Sequence, residues 1–380
     1  MKESKKMRFD LISDLSVFNK LLCNFAVRND YFVSIMKRII KRGLLAAISL
    51  IAVGAMVGGT AAYYLLYQPN FIISGTKYIY IYEEQKDFES LCKVLQDSAG
   101  CRRIHLFKIL AGYHRYPENM KSGRYAIEPD MSNRHLLNRL RFGQQTPVRI
   151  TFNNIRLIGE LAGRLTGQLM IREEELLSFL RDEKRCGSLG FDTIGIKTLF
   201  IPNTYEVYWN ISAEKLMERM KREYDVFWNE SRLNKAKALR LSPVEVSILA
   251  SIVEEETAVS DEYPVVAGLY INRLHKGMLL QADPTVKYAL GDFSLQRVLT
   301  RHTETESPYN TYRYGGLPPG PIRIPSINAI DAVLNPTKHN YLFMCAKEDF
   351  SGRHNFAVTL SEHIRNAQKY HAELNRRGIR

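Results

Sequence analysis

The sequence runs to 380 residues, 45% of them hydrophobic and 24% charged, an ordinary globular balance that excludes a disordered or collagen-like chain. The net charge of +13 is uneven, because ten Lys/Arg against four Asp/Glu in the first 42 residues give +6 and leave +7 for the other 338. Such a basic excess suits a polyanionic partner; a membrane surface accounts for nearly half of it, and nothing in the remainder is specific to nucleic acid.

Residues 43–67 hold 25 positions without a charge, enough at about 1.5 Å per residue to cross a roughly 30 Å hydrocarbon layer. Lys37, Arg38, Lys41 and Arg42 precede this run and Tyr63, Tyr64 and Tyr67 close it. That pattern predicts a single-pass transmembrane helix, with residues 1–42 in the cytoplasm and the body exported. The alternative is a signal peptide cut near the small residues 59–62, although the apolar run exceeds the usual signal core. The Met-Lys-Arg at Met36 would itself make a normal start for an anchored protein. Five cysteines are scattered without a CxxC spacing, which points to no zinc or redox motif, and buried free thiols are expected over a Cys92–Cys101 bridge.

After the anchor, "YIYIY" (78–82) reads as a strand and residues 88–95 as an amphipathic helix. Residues 104–117 have a helical pattern, 121–127 a turn into a strand, and 136–140 a further helix. A small α+β unit over 70–145 is the expectation, and its order of strand, helix, helix, strand looks like a LysM-type sugar-binding module. Residues 146–380 follow as a mixed α/β region, opening with a strand and amphipathic helix in "RITFNNIRLIGELAGRL". "LFIPNTYEVYW" (199–209) interrupts it with a Pro202–Asn203 turn and the aromatic surface of Tyr205 and Tyr208, which suits a packed loop or part of a carbohydrate groove.

"ASIVEEETAV" (250–259) carries three consecutive glutamates. Ser242 as N-cap, Pro243 at the first helical position and Glu245 at N3 predict a capped helix running to about Thr257. At 100° per residue, Glu256 shares the face of Leu249, Ile252 and Val253, Glu254 projects to the opposite side, and Glu255 lies on the flank. A carboxylate on an apolar face is costly to ionise, so its pKa should rise, as a general acid working near neutral pH requires. The structural alternative is a helix-end glutamate turned to solvent or paired with an arginine such as Arg273.

A second amphipathic helix follows with Gly277 near its end, and Asp283 reads as the N-cap of a short third one rather than as a catalyst. The segment 307–326, rich in proline, glycine and tyrosine, reads as a stiff exposed loop whose aromatic faces suit sugars, with a packed loop as the alternative. "YLFMCA" and "HNFAVT" predict a hairpin around Ser351 and Gly352, and a capping box from Thr359 to Glu362 opens the last helix.

These residues resemble the endolytic murein transglycosylases of the YceG-like (MltG) type. The likeness rests on "ASIVEEET", "INRL", "LLQADPTVKYAL", "SPYNTYRYGGLPPGPI" and "HNF" in that order over residues 242–370, with weaker similarity through "IPNTYEVY" and "KSGRYAI". Glu255 departs from the pattern, standing where the family often has lysine. The resemblance implies a mixed α/β lytic transglycosylase domain that cleaves the β-1,4 bond between N-acetylmuramic acid and N-acetylglucosamine in nascent strands, leaving 1,6-anhydro ends and terminating elongation. The family's catalytic glutamate, immediately before the threonine of E-x-E-T, falls on Glu256. Gln281, Tyr309, Asn310 and Tyr312 are the candidates for positioning sugar, with His354 and Glu254 as neighbours. No cofactor or metal is implied. The expected partners are peptidoglycan strands, the bacterial cytoplasmic membrane and peptidoglycan synthases, not nucleic acid. A non-catalytic wall-binding scaffold, and a muramidase using Asp283 as second carboxylate, are the alternatives.

Overall fold

A computed structural model describes residues 3–378. The first helix, α1 (Glu3–Leu66), is followed by β1 (Lys77–Ile81), α2 (Phe88–Asp97), α3 (Ile104–Tyr113), β2 (Gly123–Ile127) and α4 (Asn133–Phe142). Next come β3 (Val148–Thr151), α5 (Ile158–Thr166), α6 (Glu173–Arg181), α7 (Glu183–Ser188), β4 (Thr204–Val207), α8 (Ala213–Phe227) and α9 (Glu230–Ala238). The chain ends with α10 (Pro243–Glu256), α11 (Tyr263–His275), α12 (Asp283–Leu290), α13 (Thr300–Thr303), α14 (Ile327–Leu334), β5 (Phe343–Ala346), β6 (His354–Ala357) and α15 (Leu360–Arg376). The class is α+β. Within α1, the 35-residue stretch Phe32–Leu66 contains an 18-residue window of mean hydropathy 2.1 with none of that window buried, long and apolar enough to cross a membrane.

Two compact units divide the chain, one made of residues up to Lys77, Asp87–Met120 and Ile127–Phe142, the other of Tyr78–Lys86, Lys121–Ala126 and everything from Gly143. In the first, α1 packs on α3 and α4. Phe71, Leu95, Phe107 and Leu136 are fully buried there. Cys92 and Cys101 are buried free thiols, and burial pushes Cys92 up to about 11, which keeps it inert.

Among the described residues the strands form three two-stranded sheets, β1–β2, β3–β4 and β5–β6, the last two wholly in the second unit. In the β3–β4 pair Val148 faces Val207 and Thr151 faces Thr204 antiparallel, so the middle of the segment expected to interrupt the helices, Thr204–Val207, is a strand. Tyr205 is 4% exposed within it. Helix α10 runs through the core and packs against α9, α11, α12 and α14. Its residues from Val246 to Val253 are buried on every side, not along a single apolar face.

The segment 307–326 departs from the exposed loop that its composition suggests. Its second half threads back into the core: Lys197 Nζ donates to Pro321 O at 2.5 Å, Ile322 N to Ser251 Oγ at 3.1 Å, and Ile324 N to Ile155 O at 2.7 Å. These partners satisfy backbone groups that a buried loop would otherwise strand. Lys197 is itself buried, and desolvation lowers its ammonium to about 8.

Candidate active site

The start of α10 is built as its sequence dictates. Ser242 Oγ accepts from Glu245 N at 3.2 Å, the Glu245 carboxylate accepts from Ser242 N at 2.8 Å, and Pro243 occupies the first turn. The other end carries the three glutamates into three different surroundings. Glu254 accepts from Ser326 N at 2.9 Å and pairs with Arg323 at 3.4 Å. Glu255 takes a bidentate grip from Arg156, at 3.1 and 3.0 Å, and a third bond from Arg323 at 3.0 Å. Glu254 therefore does not project into open solvent, and its carboxylate is occupied in holding the start of α14.

Glu256 has no arginine partner of this kind among the described residues. Its Oε1 accepts from the hydroxyl of Tyr270 at 2.6 Å, and Oε2 has no hydrogen-bond partner among the described residues. Desolvation pushes the carboxyl up to about 7, and nearby Asp283 adds to the rise. The Tyr270 bond, Lys287 and Arg273 pull the other way and lose. Standing at the negative end of a helix also works against the anion.

The carboxyl opens on a pocket of about 260 Å³ whose lining includes Tyr270, Gln281, Asp283, Tyr312 and His354. Helix α11 contributes Tyr270, 2% exposed, and Arg273, 7% exposed. Arg273 does not hydrogen-bond to Glu256: it donates to Leu342 O at 2.6 Å, Leu280 O at 2.8 Å, Leu279 O at 3.1 Å and Gln281 Oε1 at 3.3 Å. It thereby staples the turn before α12 to the chain entering β5. Gln281 sits in that turn at φ +52°, a left-handed conformation that costs a non-glycine residue energy, and its N–H donates to Thr311 O at 3.0 Å.

Asp283 corrects the sequence reading. It is the first residue of α12, the N-cap position falls on Ala282, and no side-chain cap bond forms. Its Oδ1 instead accepts from the Tyr312 hydroxyl at 2.6 Å, so a second carboxylate–tyrosine pair lines the same pocket as Glu256 and Tyr270. Opposite, the β5–β6 hairpin supplies Met344, Cys345, Ala346 and His354. His354 is fixed by Glu262, which accepts from its backbone N–H at 3.0 Å and lies 2.9 Å from Nδ1. Thr257, the residue that ends α10, donates to the same carboxylate at 3.2 Å. This leaves His354 Nε2 without a hydrogen-bond partner among the described residues.

Of the residues singled out by sequence, Glu256, Gln281, Tyr312 and His354 thus converge, and Tyr309, Asn310 and Glu254 do not. Asn310 is fully buried, donates to Thr303 O at 2.9 Å and Thr305 O at 2.7 Å, and accepts from Tyr312 N at 3.1 Å. Both its N–H groups are spent on shaping the loop, and the side chain is buried outside the lining of the pocket. Tyr309 packs on Tyr288 with ring centroids 4.7 Å apart, outside the pocket. Sequence reasoning missed Tyr270 and Glu262, residues 14 and 6 beyond Glu256. The signal for Tyr270 was a hydroxyl within an apolar helix, whereas Glu262, in the polar turn Ser260–Glu262, carried none.

The chain matches the YceG-like family over residues 80–369. The endolytic murein transglycosylase of Streptococcus pneumoniae (strain D39) is 27% identical over 323 residues, covering 77% of this chain and 58% of that protein. The endolytic murein transglycosylase of Bacillus subtilis is 36% identical over 164 residues, 43% of this chain and 44% of that protein. The chain spans little more than half the length of the streptococcal relative. The crystal structure of a YceG-like protein from Listeria monocytogenes aligns with a TM-score of 0.51 at 25% identity, covering 77% of this chain and 99% of that one. Since the family match takes in most of the chain and every residue of the pocket, this chain belongs to the YceG-like family.

Proposed function

We propose that the chain is a membrane-anchored endolytic lytic transglycosylase of peptidoglycan, with Glu256 as its single acid and base. The observation that carries this reading is the Glu256 carboxyl held near 7 in a pocket large enough to admit part of a sugar chain. Protonated, it would give its proton to the glycosidic oxygen linking N-acetylmuramic acid to N-acetylglucosamine. As the carboxylate, it would then take the proton from the muramic acid C6 hydroxyl while that oxygen attacks C1, closing the 1,6-anhydro ring. A group half-ionised near neutral pH can serve both steps, and the nucleophile belongs to the substrate, so its proximity is already paid. Gln281, Tyr312 and His354 would position the sugar.

Around this centre, α1 would anchor the protein in the cytoplasmic membrane with its N-terminus inside, in keeping with the lysines and arginines at 37–42. Residues 70–145, with β1, α2, α3 and β2 in order, would be a LysM-like glycan-binding module. Cleavage within nascent strands would terminate their elongation beside peptidoglycan synthases. The test is digestion of purified peptidoglycan followed by mass analysis. The wild-type chain should release anhydro-muropeptides and a folded Glu256→Gln variant none; wild-type activity in that variant would discard the assignment.

One observation favours a second reading. Asp283 lines the pocket with Glu256, so a muramidase could employ it as a second carboxylate to activate water. Its products would be reducing ends heavier by one water than anhydro ends, so the same mass measurement separates the two chemistries.

A further inference from the structure

A second cleft in the larger unit shares no residue with the Glu256 pocket. It has a volume of about 450 Å³, and Tyr80, Tyr82, Arg124, Gln168, Met170 and Trp209 line it. Its floor follows from the period-two pattern of "YIYIY". Ile79 and Ile81 are 2% and 3% exposed, whereas Tyr78, Tyr80 and Tyr82 are 43%, 46% and 49% exposed. Alternation places the three tyrosines on one face at intervals of about 7 Å.

Such rings need fixing if they are to bind anything without losing conformational entropy. Trp209 does this: it is 6% exposed, and its ring meets Tyr80 and Tyr82 edge to face at centroid distances of 5.0 and 4.8 Å. Trp209 is held in turn by Met170, whose N–H donates to its carbonyl at 2.8 Å. Beside them the Arg124 guanidinium lies 3.6 Å over the Tyr78 ring and donates to Pro147 O at 2.6 Å, which sets a cation at the rim.

Two pinned, half-exposed aromatic rings, flanked by a guanidinium and the Gln168 amide, match a saccharide. Its C–H faces stack on rings while its hydroxyl, acetamido and carboxylate groups meet the polar rim. A single arginine among these rings does not form the phosphate-tracking channel that single-stranded nucleic acid requires. We infer that this cleft is a second glycan-binding site, holding a β-1,4-linked amino-sugar strand away from the Glu256 pocket. The choice of polymer rests on the function proposed above, and the site deepens the glycan-binding role proposed there for residues 70–145 by adding Gln168, Met170 and Trp209 from outside them.

The test is a binding titration of the full chain in detergent, carrying Glu256→Gln to prevent turnover and Trp228→Phe to leave Trp209 as the one tryptophan reporter. The probe is a set of purified uncrosslinked glycan strands. Strand binding should shift the Trp209 fluorescence. Tyr80→Ala with Tyr82→Ala should weaken strand affinity on the order of tenfold and abolish that shift, and Tyr80→Phe with Tyr82→Phe, which keeps both rings, should restore them. Unchanged affinity in the alanine pair, or an unmoved Trp209 signal in the parent at saturation, overturns the site. Because binding is read without catalysis, that outcome is independent of whether the wild-type chain cuts the strands.

Discussion

Glu256 concentrates opposing forces in a single titration. Its folded carboxyl titrates near 7 against an ordinary value of 4.5. Below about pH 4.5 both folded and unfolded chains hold the proton and the residue costs nothing. Between 4.5 and 7 the unfolded chain ionises more readily, so folding stability falls as pH rises, and above 7 the cost is complete, on the order of 3 kcal/mol. Glu256→Gln should therefore melt above wild type at pH 8 and together with it at pH 4, a comparison that thermal denaturation at the two pH values makes directly. Catalysis depends on the same proton, so wild-type kcat/KM should fall about tenfold per pH unit above 7. Tyr270→Phe removes the donor that favours the anion and should move that alkaline limb to higher pH. A tyrosine serving only as packing would leave the limb in place while lowering Tm.

At the scale of elements, α10 is where sequence and structure agree best, because its signals are local. A serine, a proline and a glutamate within four positions fix its start, and the 3.6-residue period puts Glu256 beside Ile252 and Val253. Ser242→Ala should cost about 1 kcal/mol by removing that cap, seen as a lower urea midpoint with an unchanged m-value. The period could not show that α10 is enclosed on all sides, since Ser247 and Ser251 look polar in sequence but return their hydroxyls to Pro243 O and Ile248 O. Nor could composition tell Asp283 from an N-cap or Asn310 from a sugar ligand. Each is decided by a partner on another segment or another turn, Tyr312 for the first and the carbonyls of Thr303 and Thr305 for the second. The β3–β4 pairing was hidden for the same reason, its strands being joined only after a long helical excursion.

For the molecule as a whole, the question is how the apolar helix is joined to the smaller unit, because a loose joint would let the two move independently. The junction is built on two buried asparagines. Asn70, 2% exposed, donates to Asn133 Oδ1 at 2.7 Å and accepts from Arg103 N at 2.8 Å, while Asn133, fully buried, donates to Leu65 O in the last turn of α1 at 3.2 Å. Tyr64 and Tyr67 lie beneath the guanidinium groups of Arg103 and Arg134 at 5.9 and 5.1 Å. The end of α1 is therefore hydrogen-bonded into α4, and Asn70 just beyond it into the start of α3, rather than tethered by a free linker. Replacing Asn70 with alanine would leave Asn133 Oδ1 and the Arg103 N–H without their partner in a buried setting, where each unsatisfied group costs about 1–3 kcal/mol. The expected outcome is faster amide hydrogen exchange at Leu65–Tyr67, Arg103 and Asn133, with exchange in α10 and α11 unchanged. Equal acceleration throughout the chain would mean that this joint is no local lock but part of one cooperative unit, and protection unchanged at Arg103 would show that the asparagine pair carries no load there.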